Sequence, residues 1–166
     1  MFNKDIRLTG KHGVITKKLV NDGVFERNID VYMCGAAIGI KYNLKAERDK
    51  SPESTNILLS AFQNERANCV FLYQLVMLLA DTDYVTNEER INRAFMGDYE
   101  DNSEETKKNM ELFNSYVRGG IEKLQEMYDA KTKDELFEEM YNVLNRNYNS
   151  LNEDSIEENI LKQCRY

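Results

Sequence analysis

The chain contains one histidine, one proline and no tryptophan. A single imidazole, His12, leaves almost no room for histidine-ligated zinc or for Ser-His-Asp catalysis. One proline excludes a proline-rich linker protein. The three cysteines, Cys34, Cys69 and Cys164, are odd in number and widely spaced. They form no CxxC pair, which excludes a thioredoxin-like motif and a zinc knuckle. Neither GxGxxG nor GxxxxGK[ST] occurs, so the common nucleotide-binding loops are absent. Acidic pairs such as Glu88-Glu89 and Glu138-Glu139 lack the ExxH partners of a di-iron bundle and read as solvated faces. No metal and no cofactor is expected. The longest apolar stretches, 29–40 and 70–80, are broken by Asp30 and Gln74 and fall short of the ~20 residues a membrane span needs. Met1-Phe2-Asn3-Lys4-Asp5 has no apolar core of a secretory leader. The expectation is a cytoplasmic protein with no membrane partner.

The 166 residues, 42% hydrophobic and 31% charged, suit one soluble folded domain spanning 1–166. Residues 151–166 are thin in apolar side chains and read as a frayed or partner-docked tail. Charge is unevenly spread. Residues 1–50 hold ten Lys/Arg against six Asp/Glu, and residues 51–166 hold twelve against twenty-three. Such asymmetry marks either an electrostatic partner surface or acidic helices that keep the protein soluble.

Nearly every local signal is helical. Val14, Ile15, Leu19 and Val20 between Gly10 and Gly23 predict a short helix with a glycine stop. Asn28 caps a second segment from Ile29 to about Lys41 that is apolar nearly all round, the pattern of a buried central helix. Ser51-Pro52 predicts another helix start, followed by Ile57, Leu58, Ala61 and Phe62. Polarity rises near Asn64, so 51–82 is either one helix or two. Thr86–Glu89 and Thr132–Glu135 are capping boxes. Met110, Phe113, Val117, Ile121, Leu124 and Tyr128 keep three/four spacing through a long helix. The expected class is all-α: a single-domain bundle of six or seven helices around the segment at about 29–41.

Three sets of residues could carry function. Gly35 and Gly39, four apart, and the adjacent pair Gly119-Gly120 interrupt helical segments at about 1 kcal/mol each. They read as close-packing positions, or as backbone open to a ligand. Arg27, Asp30, Arg66 and Arg93 stand beside apolar segments, as does Arg118; they read as a buried polar network in which one or more arginines pair with Asp30, or as plain capping and a structural ion pair, or as a small anionic-ligand pocket or general acid–base pair. The basic segment Lys4, Arg7, Lys11, His12, Lys17, Lys18, Arg27, Lys41, Lys45, Arg48 and Lys50 offers phosphate contacts. Within it, Lys11, His12, Lys17, Lys18, Lys41, Lys45 and Arg48 are the candidate nucleic-acid or anion ligands. His12 follows Gly10 at a helix start, where free amides attract anions, or is a plain exposed turn residue.

Four stretches carry a likeness: Leu8–His12; Phe25–Gly39 with its Ala36-Ala37-Ile38-Gly39; Glu89–Phe95; and Asn109 with Leu112–Glu122. They resemble small helical proteins associated with bacterial DNA phosphorothioation (Dnd-type) and related phage-defence systems. The resemblance implies a bacterial accessory component working near DNA or near a defence enzyme. It brings no catalytic residues with it. The function expected is that of a non-catalytic adaptor that binds a protein partner, and nucleic acid through the basic N-terminal region. The alternative is an acidic inhibitor or DNA mimic that occupies a partner's basic groove. Methionine and tyrosine faces equally suit a homodimer.

Overall fold

The computed structural model describes residues 2–80, 86–96, 103–129, 134–138, 140–142 and 145. The protein is predominantly α-helical with a small two-stranded sheet. Its elements run β1 (Ile6–Thr9), α1 (Lys11–Asn21), α2 (Asn28–Lys41), β2 (Ser54–Ile57), α3 (Leu59–Asn64), α4 (Arg66–Leu79), α5 (Asn87–Ile91), a π-helical turn (Asn92–Met96) and α6 (Glu104–Asp129). The chain divides into two compact units, Met1–Glu126 and Met127–Tyr166. The core, the sheet and the cleft described below belong to the first. In the second, residues 134–138 and 140–142 are helical and Leu136 is fully buried. Of the expected second capping box, Thr132 and Lys133 lie outside the described residues, as do Cys164 and the 151–166 tail.

The hub is α2. Ile29, Val31, Tyr32, Gly35, Ala36 and Gly39 are buried along it, as an all-round apolar helix requires. Rings gather at its first turns. Phe2 stacks on Phe62 at 5.4 Å, and Tyr32 meets Phe62 and Phe113 edge-on at 5.5 and 5.9 Å. These offset and edge-to-face arrangements suit aromatic quadrupoles. The Tyr32 hydroxyl donates to Asn114 Oδ1 at 2.7 Å, so the buried ring brings its polar tip a partner. Buried Cys69 and half-buried Cys34 are free thiols, and burial pushes them up to about 12 and about 11.

The two glycine pairs meet each other. A Cβ built on Gly120 would collide with the Gly35 carbonyl and sit 2.7 Å from Gly39 N. A Cβ on Gly39 would collide with the Tyr116 carbonyl, and one on Gly35 would lie 2.9 Å from Val117 O. Thus α2 and α6 cross main chain against main chain. On its neighbouring side, α6 presents Gly119 to the Leu44 carbonyl. The connection after α2 is tied there by Ala46 N–H to Ser115 O at 3.0 Å. No ligand is needed to explain these glycines, because backbone fills the space.

Several local expectations change. The chain before α1 is a strand, and so is the segment after Pro52, where the sequence predicts a helix. β1 and β2 pair antiparallel, Ile6 opposite Ile57 and Leu8 opposite Thr55. Those four residues turn inward or half inward, while Arg7 and Asn56 face out. Ile57 therefore closes a strand, and the helix starts at Leu59, whose amide is capped by Asp5 Oδ1 at 2.8 Å. Residues 59–79 form two helices that break at Glu65. The cap of α2 is Arg27 and not Asn28. Asn28 instead donates to Thr55 Oγ1 and Asn56 O. The Thr86 capping box is present in full, with Glu89 N donating to Thr86 Oγ1 and Thr86 N donating to Glu89 Oε2.

The crossing makes a prediction of definite sign. An alanine in an unobstructed helix gains about 1 kcal/mol over glycine. Gly120→Ala should instead lose at least the ~1–3 kcal/mol of ordinary overpacking, read as a lower urea midpoint. A stabilised variant would show that the two backbones do not touch.

Candidate functional site

The anion-attracting start of α1 is already filled from within the protein. Gly10 precedes the helix at φ +60°, a conformation glycine tolerates, and Asp49 occupies the space where a Cβ would stand. Asp49 Oδ2 accepts the Lys11 amide at 2.7 Å, and Oδ1 accepts the Ser51 amide and hydroxyl at 2.9 and 2.7 Å. Those bonds hold the Asp49 carboxyl down at about 2. Thr9 Oγ1 donates to the Asp49 carbonyl. A free ligand at this helix terminus would have to displace a bound carboxylate.

The basic residues that do converge lie around a cleft of about 340 Å³ beside β1. One wall is the strand and the residues before it, with Lys4, Asp5 and Arg7. A second is the 43–50 connection, which supplies Arg48. The third is one face of α6, where Lys107, Glu111, Asn114 and Arg118 recur at three/four spacing. His12, from the first turn of α1, completes the lining. Arg118 is only 7% exposed. Its Nε donates to Ala46 O at 2.8 Å and its Nη2 to Glu111 Oε1 at 2.6 Å. Lys107 pairs with Glu104. Arg7 Nε donates to Ser54 Oγ at 2.8 Å, and Arg48 reaches Thr9 Oγ1 at 3.4 Å. Among the described residues no carboxylate pairs with Lys4, Arg7 or Arg48.

His12 is fully buried, not an exposed turn residue. Its Nε2 lies 2.8 Å from Glu122 Oε1, and Lys11 Nζ pairs with the same oxygen at 2.9 Å. Burial pulls the imidazole below its usual 6.5, and the Glu122 bond offsets only part of that. Burial pushes the Glu122 carboxyl up, but the bonds and charges of Lys11 and His12 outweigh it and leave the group lowered. Near neutral pH an ionised Glu122 therefore accepts from a neutral ring whose proton is on Nε2. Nδ1 is left as a lone pair, and this buried atom has no hydrogen-bond partner.

Of the seven candidate anion ligands, His12 and Arg48 line the cleft beside β1, Lys45 joins Arg48 in a second, more open hollow with Lys50 and Arg118, and Lys11 joins His12 on Glu122. Lys11 is committed to Glu122. Lys17 and Lys18 lie exposed on α1, away from the cleft lining. Lys41 stands over the Tyr42 ring at 5.7 Å and Lys45 over Tyr116 at 5.2 Å, contacts that favour a cation above an aromatic face. The expected buried network of Arg27, Asp30, Arg66 and Arg93 is not there. Arg27 is 46% exposed and bridges Asp30 at 2.6 Å and Glu65 at 2.9 Å, tying the start of α2 to the α3–α4 break. Arg66 is exposed and Arg93 half-buried. Asp30 accepts the Arg27 amide at 2.9 Å, which makes it a helix-cap residue at the surface. The buried arginine is Arg118, which reaches Glu111 and the Ala46 carbonyl and not Asp30.

No cluster of His, Cys, Asp and Glu fit to hold a metal ion occurs among the described residues. No helix among them is long and apolar enough to cross a membrane. Comparison with family models, with curated proteins and with solved structures finds no match.

The ring makes its own prediction. ¹⁵N NMR of His12 at neutral pH should show the Nε2–H tautomer and a midpoint below 6.5. A neutral buried histidine stabilises the fold above its unfolded pKa, and that stability is lost as pH falls through 6.5 towards the lowered folded value. A midpoint above 6.5 would mean that the Glu122 charge, not burial, governs the ring.

Proposed function

We propose that the protein acts by binding rather than by catalysis, and that the cleft beside β1 receives the phosphate of an anionic ligand, with DNA as the macromolecule that carries it. The observation that bears this reading is the convergence of Lys4, Arg7 and Arg48, none paired with a carboxylate, on a cleft floored by a buried arginine and a buried histidine. Surface lysines scattered on an acidic protein would give no such focus. A concave, low-dielectric site raises the worth of each charge toward a phosphate. The likeness of Leu8–His12 and Leu112–Glu122 to Dnd-type accessory proteins agrees with this ligand, since both stretches contribute to the cleft or to the Glu122 support beneath it. On that likeness the role proposed is that of an adaptor in a bacterial phage-defence or DNA-modification system.

An adaptor also needs a protein partner. α4 packs against α5 and the π-helical turn, and these elements leave Phe71, Leu79, Ile91 and Phe95 more than half exposed. Exposed apolar side chains of that size suit burial against another protein.

Fluorescence anisotropy with a 5′-phosphorylated single-stranded DNA oligonucleotide tests the DNA reading. One strand phosphate seated in the cleft predicts an affinity loss of about threefold between 50 and 200 mM salt. Arg48→Glu should abolish most of the low-salt binding, while Lys17→Glu, outside the cleft, should change it by about twofold or less. Equal sensitivity to the two substitutions, or no binding at low salt, would refute the cleft as a DNA site.

A further inference from the structure

The cleft holds one feature that positive charge alone does not explain. One of its lining residues carries a spare acceptor. The His12 ring is held at Nε2 by Glu122, which is not part of the cleft lining, whereas His12 is. The Nδ1 nitrogen is the polar atom of the ring that remains. That nitrogen is buried and without a partner. A buried polar atom left unsatisfied is costly. It is satisfied when something in the cleft brings a hydrogen to it.

Resting on the reading of the cleft as a phosphate site, we propose that the Nδ1 edge of His12 faces the cleft, that the cleft is built for a terminal phosphate group, a monoester or phosphate itself, and that the hydrogen of a P–OH lies between a phosphate oxygen and His12 Nδ1. Arg48 and Arg7 face the remaining charge, with Arg118 below them. This chemistry separates ligands that charge and size do not. Sulfate has the same shape and brings no proton near neutral pH. An internal phosphodiester also brings none. Both would leave Nδ1 without its hydrogen or force the buried ring to take a proton from water. The Glu122 carboxylate sets this preference by holding the ring's own proton on the far nitrogen.

Titration calorimetry of the full chain at pH 7 with inorganic phosphate and with sulfate tests this. Phosphate should bind at least about tenfold tighter, the scale of one buried acceptor left unmade. His12→Phe should bring the two anions to within about twofold of each other. If that variant does not fold, Glu122→Gln carries the test, since an amide no longer dictates which nitrogen holds the proton. Its phosphate preference should shrink while anion binding persists. Equal binding of both anions by the unaltered protein, or an undiminished preference in the variants, overturns the role of His12 and leaves the anion cleft standing. Binding of neither anion overturns the cleft reading itself. Oligonucleotides with a 5′-phosphate or a 5′-hydroxyl identify the source. Retention of the phosphorylated strand alone assigns strand ends as the ligand. Retention of neither, with phosphate still bound, assigns a small phosphate compound. Equal retention of both overturns the proposal.

Discussion

Everything else in the first unit is arranged around the place where α2 and α6 touch main chain to main chain. Helices normally keep their axes 8–10 Å apart because side chains fill the gap. Here glycines on both partners remove that filling, and the carbonyls of Gly35 and Tyr116 occupy the space. The arrangement trades helix propensity for contact. Four glycines in helix interiors cost about 4 kcal/mol against alanine. What offsets that is dense contact between two rigid backbones and the aromatic cluster that closes at one end of the crossing.

That contact also positions the cleft. α6 places Glu111, Asn114, Arg118 and Glu122 along one face, and its register against α2 decides where that face lies. The bare backbone at Gly119 seats the Leu44 carbonyl, so the 43–50 connection is held on α6 and delivers Arg48 to one wall and Asp49 to the α1 start. Asp49 fixes the first turn of α1, and that turn carries His12 to Glu122. The distances between a strand, a loop and two helices thus trace back to one crossing. A site assembled from several elements that share a rigid support is a better candidate for binding than residues on one mobile loop.

Much of this was legible in the residues. The all-round apolar pattern of Ile29–Ile40 marked the hub, and the interrupted periodicity at Gly119-Gly120 marked a close approach without saying to what. The ribbon was not legible. Its strands are four residues each, and Ser54-Thr55-Asn56 carries no apolar alternation, so pairing across the fold decides its structure where local pattern is silent. Ser51-Pro52 imitated a helix start for the same local reason. Asp30 and Arg27 read either as a buried pair or as a cap with a structural ion pair, and the structure has the second, because a carboxylate at the third position of a helix is served best by the exposed cap amide. The cleft was half visible. Arg48 and His12 stood out as basic residues and Arg118 as an arginine beside core segments, but Glu122, and the face it shares with Arg118, were hidden in a helix read chiefly for its apolar stripe. The polar row 107, 111, 114, 118, 122, beside that stripe, was the signal that could have found them.

Native-state hydrogen exchange measures the central contact most directly, because a backbone crossing at the hub should open only when the unit unfolds. The account predicts that the amides of Gly35–Gly39 and Val117–Ile121 exchange more slowly than all others among the described residues. Their opening free energy should equal the global unfolding value from denaturant. Exchange of either segment through a small, denaturant-independent fluctuation, while the β1–β2 ribbon stays protected, would contradict it.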